Sequence, residues 1–422
     1  MVSRRKFVRN ATVIPAAISA LHAKMYGNNL PIPEILEDVT TDEDFWHQVK
    51  MAYTVSPTLV NLNNGGVCPQ PRVVQDAVER YNQLSNETPS YYMWRILDDG
   101  RETIRQKLAQ IGGCSADEIA VNRNASEALE TVIFGLRLER GDEVVLTKQD
   151  YPNMINAWKQ RAHRDGIVLR WIDLDLPSED ADAITKAYVE AFTDRTRVVH
   201  ITHVINWIGQ VIPARKIADA AHERGIDVVI DAAHSFAHLV YDIPDLGGDY
   251  LGTSLHKWLC APFGSGMLWV KKEKIKNLYP LFGSPDPESE DIRKFEHLGT
   301  RSFAIEQAIG QAIDFHLMIG AERKFKRLHY LKNYWMNALA ETESIEFFTS
   351  RNPQFGGGIG FFSIKEIEPG KVGQQLQSKN IHVVPIKWEH FSGIRVTPNV
   401  YTLTSDLDRF INAVKEIAAN KS

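Results

Sequence analysis

The chain is 422 residues long, 44% hydrophobic and 24% charged, with a formal net charge of −5, as expected of a soluble globular protein with material for two or three domains. Its charges are spread along the whole length, which argues against a nucleic-acid partner, since binding one needs a concentrated basic face. Three cysteines with no CxxC or Cys/His cluster exclude a disulfide framework and a cysteine zinc site.

At the start, Arg4 and Arg5 stand between Ser3 and Phe7, ahead of a mildly apolar run at 11–23. A basic head followed by a short apolar core reads as a secretory signal at 1–23, and the arginine pair resembles the twin-arginine type. The run is too short to span a bilayer, so no stable membrane anchor is expected. The expected location is therefore the periplasm, reached by that route, or the cytoplasm if the signal does not function. Residues 24–65 contain no self-sufficient unit and are expected to pack on a small C-terminal domain.

From 66 to 300, β-branched runs such as EIAVN, DEVVLTK, GIVLRWIDL, TRVVHIT and DVVID alternate with helical patterns. They read as strands buried on both faces, in an α/β domain built on a mostly parallel sheet with helices on both faces. Ligands bind such sheets beyond the carboxyl ends of the strands. From 301 to 422 a long helical stretch to about 344 leads into mixed strands and helices, expected to form a linking helix and a smaller α+β domain.

Five strand ends carry residues with chemistry. Ser126 and Glu127 open a helix after EIAVN, where free backbone N–H groups can bind phosphate. Equally, Asn124 or Ser126 can simply cap that helix, with Glu127 favourable in its first turn. Tyr151 follows the next strand, and Asn206 and Trp207 follow TRVVHIT. The aspartate at the end of DVVID, Asp231, is followed three residues later by His234. Ser254, His256 and Lys257 stand on a short polar step before a buried run. His200 and His203 read as core or pocket histidines, and no metal site is expected. The aromatic run SYYMWR at 90–95 is either an entrance lining or a core patch.

A lysine amine can form a Schiff base with an aldehyde once burial or neighbouring charge lowers its pKa. A carboxylate facing a pyridine nitrogen keeps that nitrogen protonated. Lys257 and Asp231 are thus the two groups that pyridoxal 5'-phosphate demands of a protein, and Ser254 and His256 can hold its phosphate. A nicotinamide dehydrogenase on a similar sheet would carry G-x-G-x-x-G after the first strand, which is missing here.

These motifs, with LNNGG, NASEAL, DAAHS, SLHKW, FEHLGT and IRVTPNVYTLTSDLDRF, span residues 60–415. Together they resemble the class V aminotransferase family of fold-type I pyridoxal-phosphate enzymes, in its isopenicillin N epimerase-like branch. The resemblance implies that Lys257 bonds the cofactor aldehyde and shuttles the α-proton. It puts Asp231 on the pyridine nitrogen, Tyr151 on the ring face, and Asn206 and His234 near the ring hydroxyl. Ser126, Ser254 and His256 fall on the phosphate, and the same cofactor site takes in Glu127. Thr300 would reach the phosphate of a neighbouring subunit, implying a homodimer with shared sites, and Arg395 would clamp the carboxylate of an amino-acid-like substrate. The implied activity is that of an aminotransferase or epimerase working at the α-carbon. The alternatives are a C–S or β-elimination lyase and a non-catalytic cofactor-binding protein. Cysteine desulfurases carry a nucleophilic cysteine ahead of the carboxylate-binding arginine. Residues 381–394 contain none, so persulfide chemistry is not expected.

Overall fold

The computed structural model describes residues 38–420. The expected signal at 1–23 lies outside them, as does the first part of 24–65.

Seven strands form the central sheet: β1 (Ile119–Asn122), β2 (Glu143–Thr147), β3 (Val168–Ile172), β4 (Thr196–Thr202), β5 (Asp227–Asp231), β6 (Tyr250–Ser254) and β7 (Gly266–Val270). Their spatial order is β1-β7-β6-β5-β4-β2-β3. Neighbours run parallel except β7, which is antiparallel to β1 and β6. The reversal follows from the connection: 255–265 is too short for a helical crossover, so the chain returns beside β6.

Consecutive residues in these strands serve opposite cores. Val145, Val199, Val228 and Ile230 enter one, with helices Ala214–His222 and Phe303–Ile319. Val144, Leu146, Val198 and Val229 enter the other, with helices Ala125–Gly135 and Pro152–Asp165. Period-2 side-chain geometry and cover on both faces explain why these runs read as continuously apolar. One expectation needs correction. The GIVLRWIDL run forms β3 at the sheet edge, where Val168 and Trp171 are exposed; among the described residues it has no strand on its outer side.

The helical stretch after 301 is two helices, Phe303–Ile319 and Ala321–Leu339, broken at Gly320 with φ +87°. Ala308, Ile309, Ala312 and Ile313 of the first belong to a central-sheet core, so the change of packing partner falls at Gly320. The smaller domain holds an antiparallel sheet of β8 (Ile345–Phe347), β9 (Gly360–Ile364), β10 (Val384–Trp388) and β11 (Phe391–Val396), in the order β10-β11-β9-β8. Helix Thr404–Ala419 covers it. The described part of 24–65 lies on a seam. Val60–Asn61 pairs with Ile381–His382 of the small domain, while Trp46 and Tyr53 pack in one cluster with Trp258, Phe315 and Tyr401.

Candidate active site

All the central strands except β7 point their carboxyl ends to one edge, and the loops there enclose a cavity of 380 Å³. Its lining includes Ser126, Tyr151, Asn206, Asp231, His234, Ser254, His256, Lys257 and Arg395, brought together from residues up to 269 positions apart in sequence. A larger hollow of 630 Å³ is lined in part by Asn63, but its lysine, Lys50, is paired with Asp406 at 2.8 Å.

Lys257 sits in the turn between β6 and β7, with Nζ 3.0 Å from His234 Nε2 and 5.9 Å from the centre of the Tyr151 ring. Burial brings its pKa down to about 8; the Asp231 carboxylate resists this and the Arg395 guanidinium adds to it. Burial also holds His234 well below the usual histidine range, with Lys257 and Arg395 contributing, so its ring is neutral. Trp258 Nε1 donates to His234 Nδ1 at 3.4 Å. An indole N–H can only donate, so the ring proton lies on Nε2, facing Lys257. With that tautomer the Lys257 nitrogen accepts once it has lost its proton, which a pKa near 8 makes easy. Behind it, His238 stacks on Trp258 at 3.8 Å and donates from Nδ1 to the His234 carbonyl at 2.7 Å, while its Nε2 accepts from Gly358 N–H at 2.7 Å.

Asp231 ends β5, and its Oδ1 accepts from Ala233 N–H at 2.9 Å. Burial raises its pKa, opposed first by His200, then by the Ala233 N–H and by Lys257. At the start of helix Ala125–Gly135, Asn124 caps Glu127 N–H at 2.9 Å, and Ser254 Oγ accepts from Ala125 N–H at 2.9 Å. The helix N-terminus therefore meets the end of β6 beside Ser126. His256 donates from Nδ1 to the Ser265 carbonyl at 3.1 Å.

Arg395, on β11, is 7% exposed. Its guanidinium donates to the Asn206 carbonyl at 3.0 Å and to Asn63 Oδ1 at 3.1 Å, and its Nε has no partner. Among the described residues no carboxylate pairs with it; burial lowers its pKa to about 10. A buried cation held only by neutral oxygens suits an incoming anion. The Asn206 side-chain oxygen is likewise buried and unpartnered.

One expected site residue lies elsewhere. Glu127 turns back to Arg123, accepting from its Nε at 2.9 Å and its backbone N–H at 2.8 Å. It supports the helix start and does not line the cavity. Thr300, expected at the phosphate of a neighbouring subunit, is exposed and outside its own chain's lining. The 90–95 run forms a π-helical stretch, Tyr92–Leu97, that does not line the cavity either; Trp94 packs edge-on against Phe303. Sequence reasoning missed Asn63, which steadies Arg395, and the glycine backbone at Gly65 and Gly66, although LNNGG was a visible polar punctuation mark. It also missed Asp150, buried beneath Tyr151. Its carboxylate takes Thr202 Oγ1 at 2.6 Å and Thr147 N–H at 2.7 Å, fixing the turn that presents the ring.

These residues fit pyridoxal phosphate. Lys257 is a buried amine that gives up its proton easily, Asp231 is a buried carboxylate, the Asn206 oxygen is free to pair, and a helix N-terminus flanked by Ser126, Ser254 and His256 suits a phosphate. Among the described residues no group of three or more His, Cys, Asp or Glu could hold a metal ion, and no helix is long and apolar enough to cross a membrane.

Comparison with known proteins agrees with this geometry. Isopenicillin N epimerase of Streptomyces clavuligerus is 28% identical over 391 residues, covering 87% of this chain and 97% of its own. A probable cysteine desulfurase of Streptomyces coelicolor is 27% identical, covering 85% and 92%. Among solved structures, the apo cysteine desulfurase of Thermococcus onnurineus superposes with a TM-score of 0.78 at 22% identity, over 88% of this chain and 98% of that one. C-DES, a cystine C–S lyase solved with cysteine persulfide, gives 0.78 at 21% identity, over 84% and 97%. Residues 60–385 match the family described as aminotransferase class-V. The chain belongs to the class V aminotransferase family and is a pyridoxal-phosphate enzyme acting at the α-carbon of an amino-acid-like substrate.

Proposed function

We propose that the enzyme is an amino-acid epimerase or aminotransferase in which Lys257 takes and returns the α-proton. The observation that carries this reading is the pairing of a buried Lys257, its pKa lowered to about 8, with a buried Arg395 that lacks an anion, in one cavity. Pyridoxal phosphate, when bound, supplies an aldehyde for the substrate amine and an electron-poor ring that disperses the charge left at the α-carbon.

The chain's residues do the rest. Arg395 grips the substrate carboxylate, oriented by Asn206 and Asn63, and so fixes the α-carbon relative to Lys257. Asp231 keeps a positive charge on the ring side of the cavity, and the His234 N–H can donate to an oxygen placed before it. Lys257 removes the proton at the α-carbon, a role that contributes about 10²–10⁴-fold. None of Cys68, Cys114 and Cys260 lines the cavity, which favours this reading over persulfide chemistry.

The test is exchange of the α-hydrogen for deuterium in D2O, followed by NMR with the holoenzyme and a panel of amino acids. Wild type should exchange. Lys257→Ala should lose exchange at least 100-fold, and Arg395→Ala should raise the half-saturating amino-acid concentration at least tenfold. A holoenzyme that binds amino acids without exchange at any pH would overturn the proposal. Loss of optical purity then marks an epimerase, and keto-acid formation marks an aminotransferase.

We also propose a homodimer, exported from the cytoplasm. Support comes from exposed Tyr91, Trp94 and Phe263 and from the Arg4–Arg5 signal pattern. Sedimentation of the purified protein as a monomer, or retention of the full chain in the host cytoplasm, would remove the corresponding half of this proposal.

A further inference from the structure

The structure assigns a substrate class to this site: amino acids with an uncharged, apolar side chain, received by a wall of Trp207, Val384 and Ile386. This rests on the reading of the cavity as an amino-acid site. β10 alternates along its length. Val384 and Ile386 face inward and line the cavity, and Trp388 shares their face, while Pro385 and Lys387 are exposed on the other. Trp388 stacks on Trp207 with ring centres 5.4 Å apart and planes at 20°. Trp207 itself lines the cavity from the loop after β4.

The two indoles are pinned from one side. Trp207 Nε1 donates to the Gln149 carbonyl at 3.1 Å, and Trp388 Nε1 donates to the Lys148 carbonyl at 3.0 Å. With both polar atoms satisfied by backbone, carbon surface is what remains for a ligand. The wall also stands beside the carboxylate anchor. Val384 is in register opposite Arg395 on β11, and Trp207 directly follows Asn206, whose carbonyl holds Arg395. A substrate gripped at its carboxylate thus has its side chain close to this wall.

No charge on the wall would compensate a charged side chain. Lys148 is paired with Asp173 at 2.9 Å on the surface, and Lys387 points away on the outer face of β10. The charged side chains that line the cavity are Asp231, Lys257 and Arg395, each with a role in holding the cofactor or the α-substituents. An ionised side chain would be desolvated against carbon without a partner, whereas each buried methylene should improve affinity about fourfold.

The test is equilibrium titration of the holoenzyme, read in its visible spectrum, with L-alanine, L-leucine, L-phenylalanine, L-glutamate and L-lysine. All five share the α-substituents, so differences report the side chain. Leucine and phenylalanine should half-saturate at concentrations at least tenfold below glutamate and lysine, and below alanine. Ile386→Arg should narrow the gap between leucine and glutamate at least tenfold. Glutamate or lysine binding as tightly as leucine to the wild type would overturn the apolar wall while leaving an amino-acid site intact. If no amino acid perturbs the spectrum of a protein that holds the cofactor, the underlying reading of the site fails as well.

Discussion

Trp258 Nε1 can only donate, and through His234 it determines what state the reactive amine takes. With the His234 proton on Nε2, an ammonium at Lys257 would set two donors 3.0 Å apart, a second reason beyond burial for the pKa near 8. Replacing Trp258 by Phe keeps the ring that stacks on His238 and removes the donor. His234 can then carry its proton on Nδ1 and accept from a charged lysine. Losing one such preference amounts to about 0.5–1.5 kcal/mol, or roughly half to one pKa unit. The pH at which the apoprotein captures pyridoxal phosphate at half its maximal rate should therefore move upward by that much in Trp258→Phe, followed as borohydride-fixed label on Lys257. A variant with lower thermal stability and an unmoved pH profile would show Trp258 to be packing alone. The neighbouring positions show what a sequence makes legible about a site. Lys257, Asp231 and Arg395 carry charges that a buried strand end must account for, so their types and places were readable. Asn63, which orients Arg395 through one neutral oxygen, carries no such mark. Glu127 was misplaced because a carboxylate beside a helix N-terminus has two uses, and Arg123, four residues before it, takes both oxygens.

At the scale of elements, the strand runs were legible because each one feeds two cores through alternate residues. Their order in the sheet was not, because order is decided by which crossover packs where, and no single strand encodes that. β3 makes the point: its apolar content matches its neighbours, yet it takes the edge beside β2 and leaves Trp171 exposed. Close backbone approach was equally hidden. A Cβ at Gly266, the first residue of β7, would lie 2.5 Å from the backbone of Asn124, so glycine there is what lets the helix N-terminus and the end of β6 share the phosphate side of the cavity. Similarly, the helical stretch after 301 read as one piece because its apolar pattern is nearly continuous, while its break depends on Gly320 at φ +87°.

At the scale of the molecule, the site lies between two domains and is kept in shape by a seam that the N-terminal segment completes. Arg327, in the helix that follows Gly320, is fully buried. Its guanidinium donates to Glu43 Oε1 at 2.6 Å and to the carbonyls of Thr40 and Thr402, each at 3.1 Å. Glu43 in turn accepts from Thr404 N–H at 2.9 Å, at the start of the closing helix. One ion pair thus joins the first described helix, the long helix and the last one. Its worth comes from burial on the arginine side, because an exposed pair would contribute little. Glu43→Ala leaves a buried guanidinium without its anion and should lower the unfolding free energy by about 1.5–3 kcal/mol, read from urea denaturation of the holoenzyme. Glu43→Gln keeps an oxygen for Arg327 and should recover part of that loss. The effect should reach the cavity, since Tyr401, adjacent to Thr402, donates to Asn64 Oδ1 next to Gly65. A Glu43→Ala protein as stable as wild type would mean that the three segments are held by the apolar cluster around Trp46, with the ion pair incidental to it.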